Sequence, residues 1–307
     1  GIHQAPEFRA RRIQARLLAL PRGEVTVDEM AGIHAERTSI PGQVLAQAVV
    51  AASAEGAASA GASGGDLAAA RARALELLRD WDGRMDRELA APTVYTAMRA
   101  ALLRRLARHL LGKQADAVLG GVPGSEPVLR AIAVEVVGAL QGGDRWLLPE
   151  GEDWPALLRA AFEEGVDGLV RALGSDPDSW TWGEAHRTRP RHPLSEVFPE
   201  SASLLDPPSV AMHGDGDTPL AGSFALAGST HRVAIAGLSV NRYIHDPSDW
   251  SQSKWIVPLG ASGHPGSPHY ADQAPLWADV EYIPQLWEWE TIATEAESAQ
   301  RLEPGAR

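Results

Sequence analysis

The chain has 307 residues, 28 basic against 40 acidic, for a formal charge of −12, with 44% hydrophobic residues and no cysteine. That acidic balance disfavours nucleic acid and anionic membrane as partners, since both need a basic footprint. The lack of cysteine removes a disulfide framework, a thiolate nucleophile and any cysteine-based zinc site.

The length fits one large domain or two, and no apolar run is long enough to span a bilayer. Gly1 rather than Met stands first, as expected of a cleavage or truncation point, so a missing leader says nothing about export. Residues 7–20 carry Phe8, Ile13, Leu17 and Leu20 at helical spacing, which predicts an amphipathic helix with its arginines outward. Thr26-Val27-Asp28-Glu29 is a capping box, in which hydroxyl and carboxylate satisfy free N–H groups at a helix start. Ser39 is placed to cap a further helix through Val44, Leu45 and Val49.

Residues 53–66 are Ala, Gly and Ser with one Glu and one Asp, which predicts a flexible surface loop. Asp66 is then expected to cap a helix carrying Leu67, Ala74, Leu75 and Leu78. Two apolar stripes follow, Tyr95 to Leu110 and Val128 to Leu140, and both read as core packing. Asp153 before Trp154 and Pro155 opens another helix, with Leu158, Phe162, Leu169 and Leu173 inward and Gly174 as its stop. Trp180–His186 reads as an aromatic corner.

From His213 onward the helical period gives way to short strands, expected over 223–227, 231–238, 241–245 and 255–259. Helices first and strands last make an α+β chain. Its regions are a mainly helical 1–186, an irregular connector 187–212 and a strand-containing 213–307. Gly214-Asp215-Gly216-Asp217 has the look of a calcium loop but lacks the further ligands of an EF-hand, so a tight turn is expected there.

The densest polar run is 260–273, with Pro265 and Pro268 excluding a regular helix. Ser262, His264, His269 and Asp272 invite a Ser-His-Asp or a metal reading. Triads are set by geometry rather than by sequence proximity, and the helical His spacing of a zinc site is absent. The expectation is a buried loop whose backbone is satisfied by His269, Tyr270, Asp272 and Gln273.

This run resembles the C-terminal signature G-Q-S-G-x-P-x-S-P-H-Y-x-D-Q-x-x-x-W of the penicillin-amidase type of N-terminal-nucleophile hydrolases. Ser262, Gly263, Pro265, Ser267, Pro268, His269, Tyr270, Asp272, Gln273 and Trp277 match it, and Ala261 stands where Gln is usual. Arg9, Arg12, Ile13, Leu17 and Leu18 are similar to the family's R-x-x-R-I-x-x-x-L-L, and Trp180–His186 to its W-x-W-G-x-x-H.

The resemblance implies the C-terminal part of an acylase large subunit, a fragment of a four-layer αββα sandwich made by self-cleavage of a precursor. Its partners are then the small subunit and the N-terminal part of the large one, and its substrate a small N-acyl amide. The family's nucleophile is an N-terminal Ser whose α-amine, of pKa roughly 8, serves as base. Residue 1 is Gly, so that Ser and the oxyanion-hole Asn are expected outside this chain, which alone is expected to be inactive.

Arg9 is implied to support the oxyanion Asn and the substrate. Asp246 matches a strand end, R-x-x-x-D, that in a few members pairs with an active-site His and otherwise makes a turn. No cofactor is implied, and the family's calcium ligands are expected outside this chain. The family also implies a periplasmic or extracellular location. A non-catalytic helical module with a β tail and a decayed, inactive homologue are the competing readings.

Overall fold

Capping chemistry sets the helix starts in the computed structural model, which describes residues 6–23, 25–57, 65–122, 125–228, 233–234 and 237–305. Helix α1 spans Phe8–Ala19 and α2 spans Val27–His34. At the start of α2, Thr26 Oγ1 accepts the Glu29 N–H (3.3 Å) and Glu29 accepts the Thr26 N–H (2.6 Å), the expected capping box. Ser39 Oγ accepts the Gly42 N–H (3.2 Å) at the start of α3, Ile40–Ala57.

Helix α3 takes in 53–57, where a loop was expected, because alanine is a strong helix former and Ala52 packs into the core. The rest of that loop, 58–64, lies outside the described residues. Asp66 does not cap α4, Asp66–Arg79: Gly65 holds the cap position, and Asp66 sits in the first turn, where its charge suits the helix dipole.

Helix α1 departs further from expectation. Only Phe8 is buried, while Ile13 and Leu17 are 36% and 45% exposed. Arg12, half-buried, and Arg16, exposed, instead reach the buried Glu36, at 3.0 and 3.7 Å. Burial opposes the Glu36 charge, but hydrogen bonds from Thr38 and Arg12 outweigh it and hold its pKa low.

Helix α5, Ala91–Leu111, is the axis of the helical part, with every residue from Ala91 to Leu103 buried. Around it pack α3, α4, α7 (Ser125–Gly142) and α8 (Trp154–Leu173), with the short α6 (Ala115–Leu119) between α5 and α7. Asp153 caps α8 by accepting the Ala156 N–H (2.7 Å). The apolar core runs from Leu45 to Ala185 and takes in Phe224 and Leu226. The stripe ends Leu110, Val128 and Leu173 stand at the surface, because each falls at the end or start of its helix.

Beyond α9 (Trp182–Ala185), the expected connector holds the short helices α10 (Pro193–Val197) and α11 (Ala202–Leu205). Strand β1 (His186–Arg187) pairs in parallel with β3 (Val233–Ala234), and β2 (Gly222–Ser223) antiparallel with β4 (Gly237–Leu238). Residues 224–227 are not strand, and 229–232 and 235–236 lie outside the described residues.

Strands β5 (Arg242–Ile244), β6 (Lys254–Ile256) and β7 (Ile283–Pro284) form an antiparallel sheet in that order. Pro284 has no N–H to donate, which suits β7 to an edge. A second, small core of Met212, Ile256, Trp277 and Ala278 lies under this sheet and α12 (Ala274–Ala278), and α13 (Trp289–Glu295) follows on the surface. The fold is therefore helix-rich and mixed, with a few short strands.

Candidate functional site

The turn at His213–Thr218 is where α5, the α2–α3 junction and the strand region meet. Gly214 has φ +78°, and a methyl group on it would lie 2.0 Å from the Leu220 carbonyl oxygen, so glycine is required. Thr218 Oγ1 accepts the Asp215 N–H (2.9 Å) and donates to the Leu220 carbonyl (2.8 Å). Asp215 Oδ1 accepts the Asp217 N–H (2.8 Å), and Ser39 Oγ donates to Asp215 Oδ2 (3.4 Å).

Arg99 pairs with Asp217 and acts on Asp215 only through its charge. Arg99, 5% exposed, meets Asp217 at 2.8 Å and lies 5.8 Å from the Tyr95 ring centroid. Burial, and then the Asp217 charge, push Asp215 up to about 6 against the pull of Arg99. The carboxylates of the apparent calcium loop are thus committed to an arginine, a serine and the backbone.

Trp182 closes the turn by donating from Nε1 to the Gly214 carbonyl (3.0 Å). His186 stacks on Trp182 at 4.5 Å, and its ring nitrogens face the carbonyls of Gly222 (2.9 Å) and Met212 (3.2 Å). Burial pushes His186 down to about 4.

Asp86, Glu88 and His213 bring ligand-type atoms within 4.8 Å of one another. Asp86 also takes Arg37 and Arg84, Glu88 takes Arg87, and His213 Nδ1 accepts the Arg87 N–H (3.0 Å). Arg87 also pairs with Asp279 (2.6 Å), so three arginines are met by three carboxylates in one ion-pair network that commits these side chains to one another.

The Gly260–Gln273 loop is tied largely to itself. A methyl group on Gly260 would meet the His269 carbonyl oxygen at 2.2 Å, so this close approach needs glycine. Ser262 N–H donates to that same carbonyl (3.0 Å), and His269 Nδ1 pairs with Asp272 (2.8 Å) while Nε2 pairs with Glu297 (3.1 Å). Hydrogen bonds to Asp272, then to Glu297, raise the His269 pKa.

Tyr270 O–H donates to the Leu205 carbonyl (2.5 Å), and Gln273 Oε1 accepts the Val257 N–H (3.2 Å). Ser262 Oγ accepts the His264 N–H (3.1 Å), so Ser262, His269 and Asp272 form no triad line. The expectation of burial fails: Gln273 is buried, but His269, Tyr270 and Ser262 are partly exposed and Asp272 is exposed. Among the described residues, its own turns together with Glu297, the Leu205 carbonyl and the Val257 N–H satisfy this loop while it stays partly exposed.

Arg9 stands on the exposed side of α1, and no hydrogen bond or ion pair joins it to another described residue. Asp246 Oδ1 accepts the Ser248 N–H (2.9 Å), the Ser248 O–H (2.6 Å) and the Asp249 N–H (3.3 Å), which holds the turn between β5 and β6. Among the described residues, none of these contacts links Arg9, Asp246 and the loop. Sequence reasoning missed the Arg99–Asp217 pair. Its one signal was an arginine inside an apolar helix, one turn after Tyr95.

The sequence profile described as Penicillin amidase matches residues 2–294. Penicillin acylase 2 proenzyme of Pseudomonas sp. (strain SE83) is 37% identical over 300 residues, which make up 97% of this chain and 36% of that protein. Acyl-homoserine lactone acylase QuiP of Pseudomonas aeruginosa is 28% identical over 149 residues, 44% of this chain and 17% of that protein. QuiP of Pseudomonas syringae pv. tomato is 32% identical over 143 residues, again 44% of this chain and 16% of that protein.

Among solved structures, thermostable penicillin G acylase from Alcaligenes faecalis aligns over 97% of this chain and 52% of its own, at 15% identity and a TM-score of 0.49. This chain therefore spans 36% of the length of the proenzyme it matches along nearly all of its own. A profile match from residue 2 to residue 294, with a relative 37% identical over 97% of the chain, shows that the chain belongs to the penicillin amidase family.

Proposed function

We propose that this chain is the C-terminal part of an acylase large subunit, and that the complete protein hydrolyses the linear amide of a small N-acyl substrate. The observation that carries this is the 37% identity to a penicillin acylase proenzyme, which takes in 97% of this chain but 36% of that protein. In this reading an N-terminal Ser in the rest of the protein attacks the amide carbonyl, with its own α-amine as base. Backbone N–H groups and an Asn amide, also outside this chain, stabilise the oxyanion. Arg9 supports that Asn and the substrate. The helices contribute an outer layer, and the strands the edge of a sheet, in a four-layer αββα sandwich.

The test uses the complete coding sequence. Matured protein is mixed with phenylacetyl, glutaryl and N-acyl-homoserine lactone amides, and release of the leaving amine is followed from the first turnover. A burst of one released amine per active site, abolished by a serine-acylating reagent, is expected for at least one of them, the acyl group staying on the Ser until water releases it. Residues 1–307 alone are expected to hydrolyse none. Turnover by that chain alone would remove the nucleophile from the rest of the protein, and silence of the complete protein towards all three would end the acylase reading.

A further inference from the structure

The segment from Gly214 to Gly222 is buried without belonging to an apolar core. Leu220 and Ala221 are buried, yet neither the large nor the small core takes in any residue of this segment. Hydrogen bonds hold it instead. Gly214 N–H donates to the Met85 carbonyl (2.8 Å) and Leu220 N–H to the Glu36 carbonyl (2.9 Å). Gly222 N–H closes the segment on the Asp215 carbonyl (3.0 Å), and Trp182 reaches in from the large core. Through these bonds the segment joins the helical part to β2.

Asp215 lies at its centre with no exposed surface. Arg99 and Tyr95 face it from α5, the neutral Ser39 from the start of α3, and Asp217 and Thr218 from its own turn. Arg99 is taken by Asp217, so Asp215 has no cation of its own. Burial pushes Tyr95 above its ordinary value, so its hydroxyl stays neutral. Burial also holds His186 and His213 down to about 4. At Asp86 and Glu88 burial opposes the charge, but hydrogen bonds from arginines outweigh it and keep both low. Of the groups around the turn whose proton affinity the fold shifts, Asp215 alone is brought between pH 5 and 8.

We propose that the Gly214–Thr218 turn is a proton-dependent latch between the helical part and β2, closed while Asp215 is protonated and opening locally when that proton is lost. The inference stands on the packing of the turn and is independent of the acylase reading. Asp215 has an ordinary value of 3.8 and about 6 in the fold, so its contribution is fully present below 3.8 and is lost as pH rises through about 6. Opening the turn returns the carboxylate to water and to its ordinary affinity. The opening equilibrium therefore grows by roughly ten-fold between pH 5 and pH 8. The response stays local because hydrogen bonds alone hold the turn, whereas moving α5 would break the large core.

Amide exchange of the complete protein at pH 5 and pH 8, each corrected for the intrinsic rate at that pH, tests the latch. Residues 213–223 are expected to lose roughly ten-fold in protection at pH 8, while Leu157–Leu169 of α8 keeps its own. Asp215→Asn retains an acceptor for the Asp217 N–H and is expected to give equal protection of 213–223 at both pH values. The wild-type protein supplies a measurement that needs no variant: the infrared band of a protonated carboxyl group should be present at pH 5 and gone at pH 8. Equal protection of 213–223 at the two pH values in the wild-type protein would overturn the latch. So would a pH dependence that survives Asp215→Asn, an equal loss along α8, or the lack of that band at pH 5.

Discussion

Asp215 is a buried carboxylate beside Asp217, and Arg99 pairs with Asp217 while pulling on Asp215 only through its charge. Its pKa is pushed from an ordinary 3.8 up to about 6, so the folded state prefers it protonated. The stability it contributes is then fully present below 3.8 and is lost as pH rises through about 6. Asp215→Asn keeps an acceptor for the Asp217 N–H and removes the second negative charge. It should raise stability at pH 8 by roughly 1–3 kcal/mol and change little at pH 4, as melting curves at the two pH values would show. A loss of stability at pH 8 would mean that the charged pair is favourable. Arg9 makes the opposite kind of prediction. In the complete enzyme, Arg9→Ala should lower kcat/KM by about 10²-fold, the scale of one lost charge-assisted bond in an oxyanion assembly, with a much smaller change in melting temperature. An unchanged rate would return Arg9 to the surface.

At the scale of elements, the Gly260–Gln273 loop divides into a buried anchor and an exposed pair. Gln273, 6% exposed, joins the loop to the chain after β6 through Val257 and Leu259. Its loss leaves the half-buried Val257 N–H without its acceptor and a gap where the buried Gln273 side chain packed, so Gln273→Ala should cost about 1–3 kcal/mol. The His269 and Asp272 side chains are 42% and 40% exposed, and solvent screens their pair. His269→Ala should therefore cost less than about 1 kcal/mol. Denaturant unfolding of the two variants decides this, and a larger cost for His269→Ala would show that the pair is buried against something beyond this chain. The loop signature made its residues recognisable in the sequence. Their exposure was not, because a polar run has the same composition whether its partners are its own turns or a covering layer.

Across the whole molecule, stability is unevenly spread. Helices α5 and α8 make the most extensive contact in the fold and share the large core, whereas β5–β7 rest on a core of four buried residues. Local opening follows the density of buried apolar contacts. Amide exchange should therefore be slowest along Ala91–Leu103 and Leu157–Leu169, and faster by orders of magnitude over Arg242–Ile256. Uniform protection across both regions would show that they unfold as one unit. Trp182 ties the large core to the Gly214 turn, since it belongs to that core while its indole donates to the Gly214 carbonyl.

By itself the sequence determined what is local. Thr26, Ser39 and Asp153 marked helix starts because a capping side chain bonds a backbone N–H two or three residues on. The stripes of α5, α7 and α8 were legible because the helical period is intrinsic to the chain. The motif at Ser262–Trp277 was legible because its residues and spacing are contiguous in the sequence. Only the tertiary structure decided which way α1 faces, since periodicity shows that a face is apolar and says nothing of what opposes it. The pairing of Arg12 and Arg16 depends on Glu36, brought up from beyond another helix. The Arg99–Asp217 pair likewise exists only once α5 and the Gly214 turn have been packed together, because an ion pair depends on distance in space rather than along the chain.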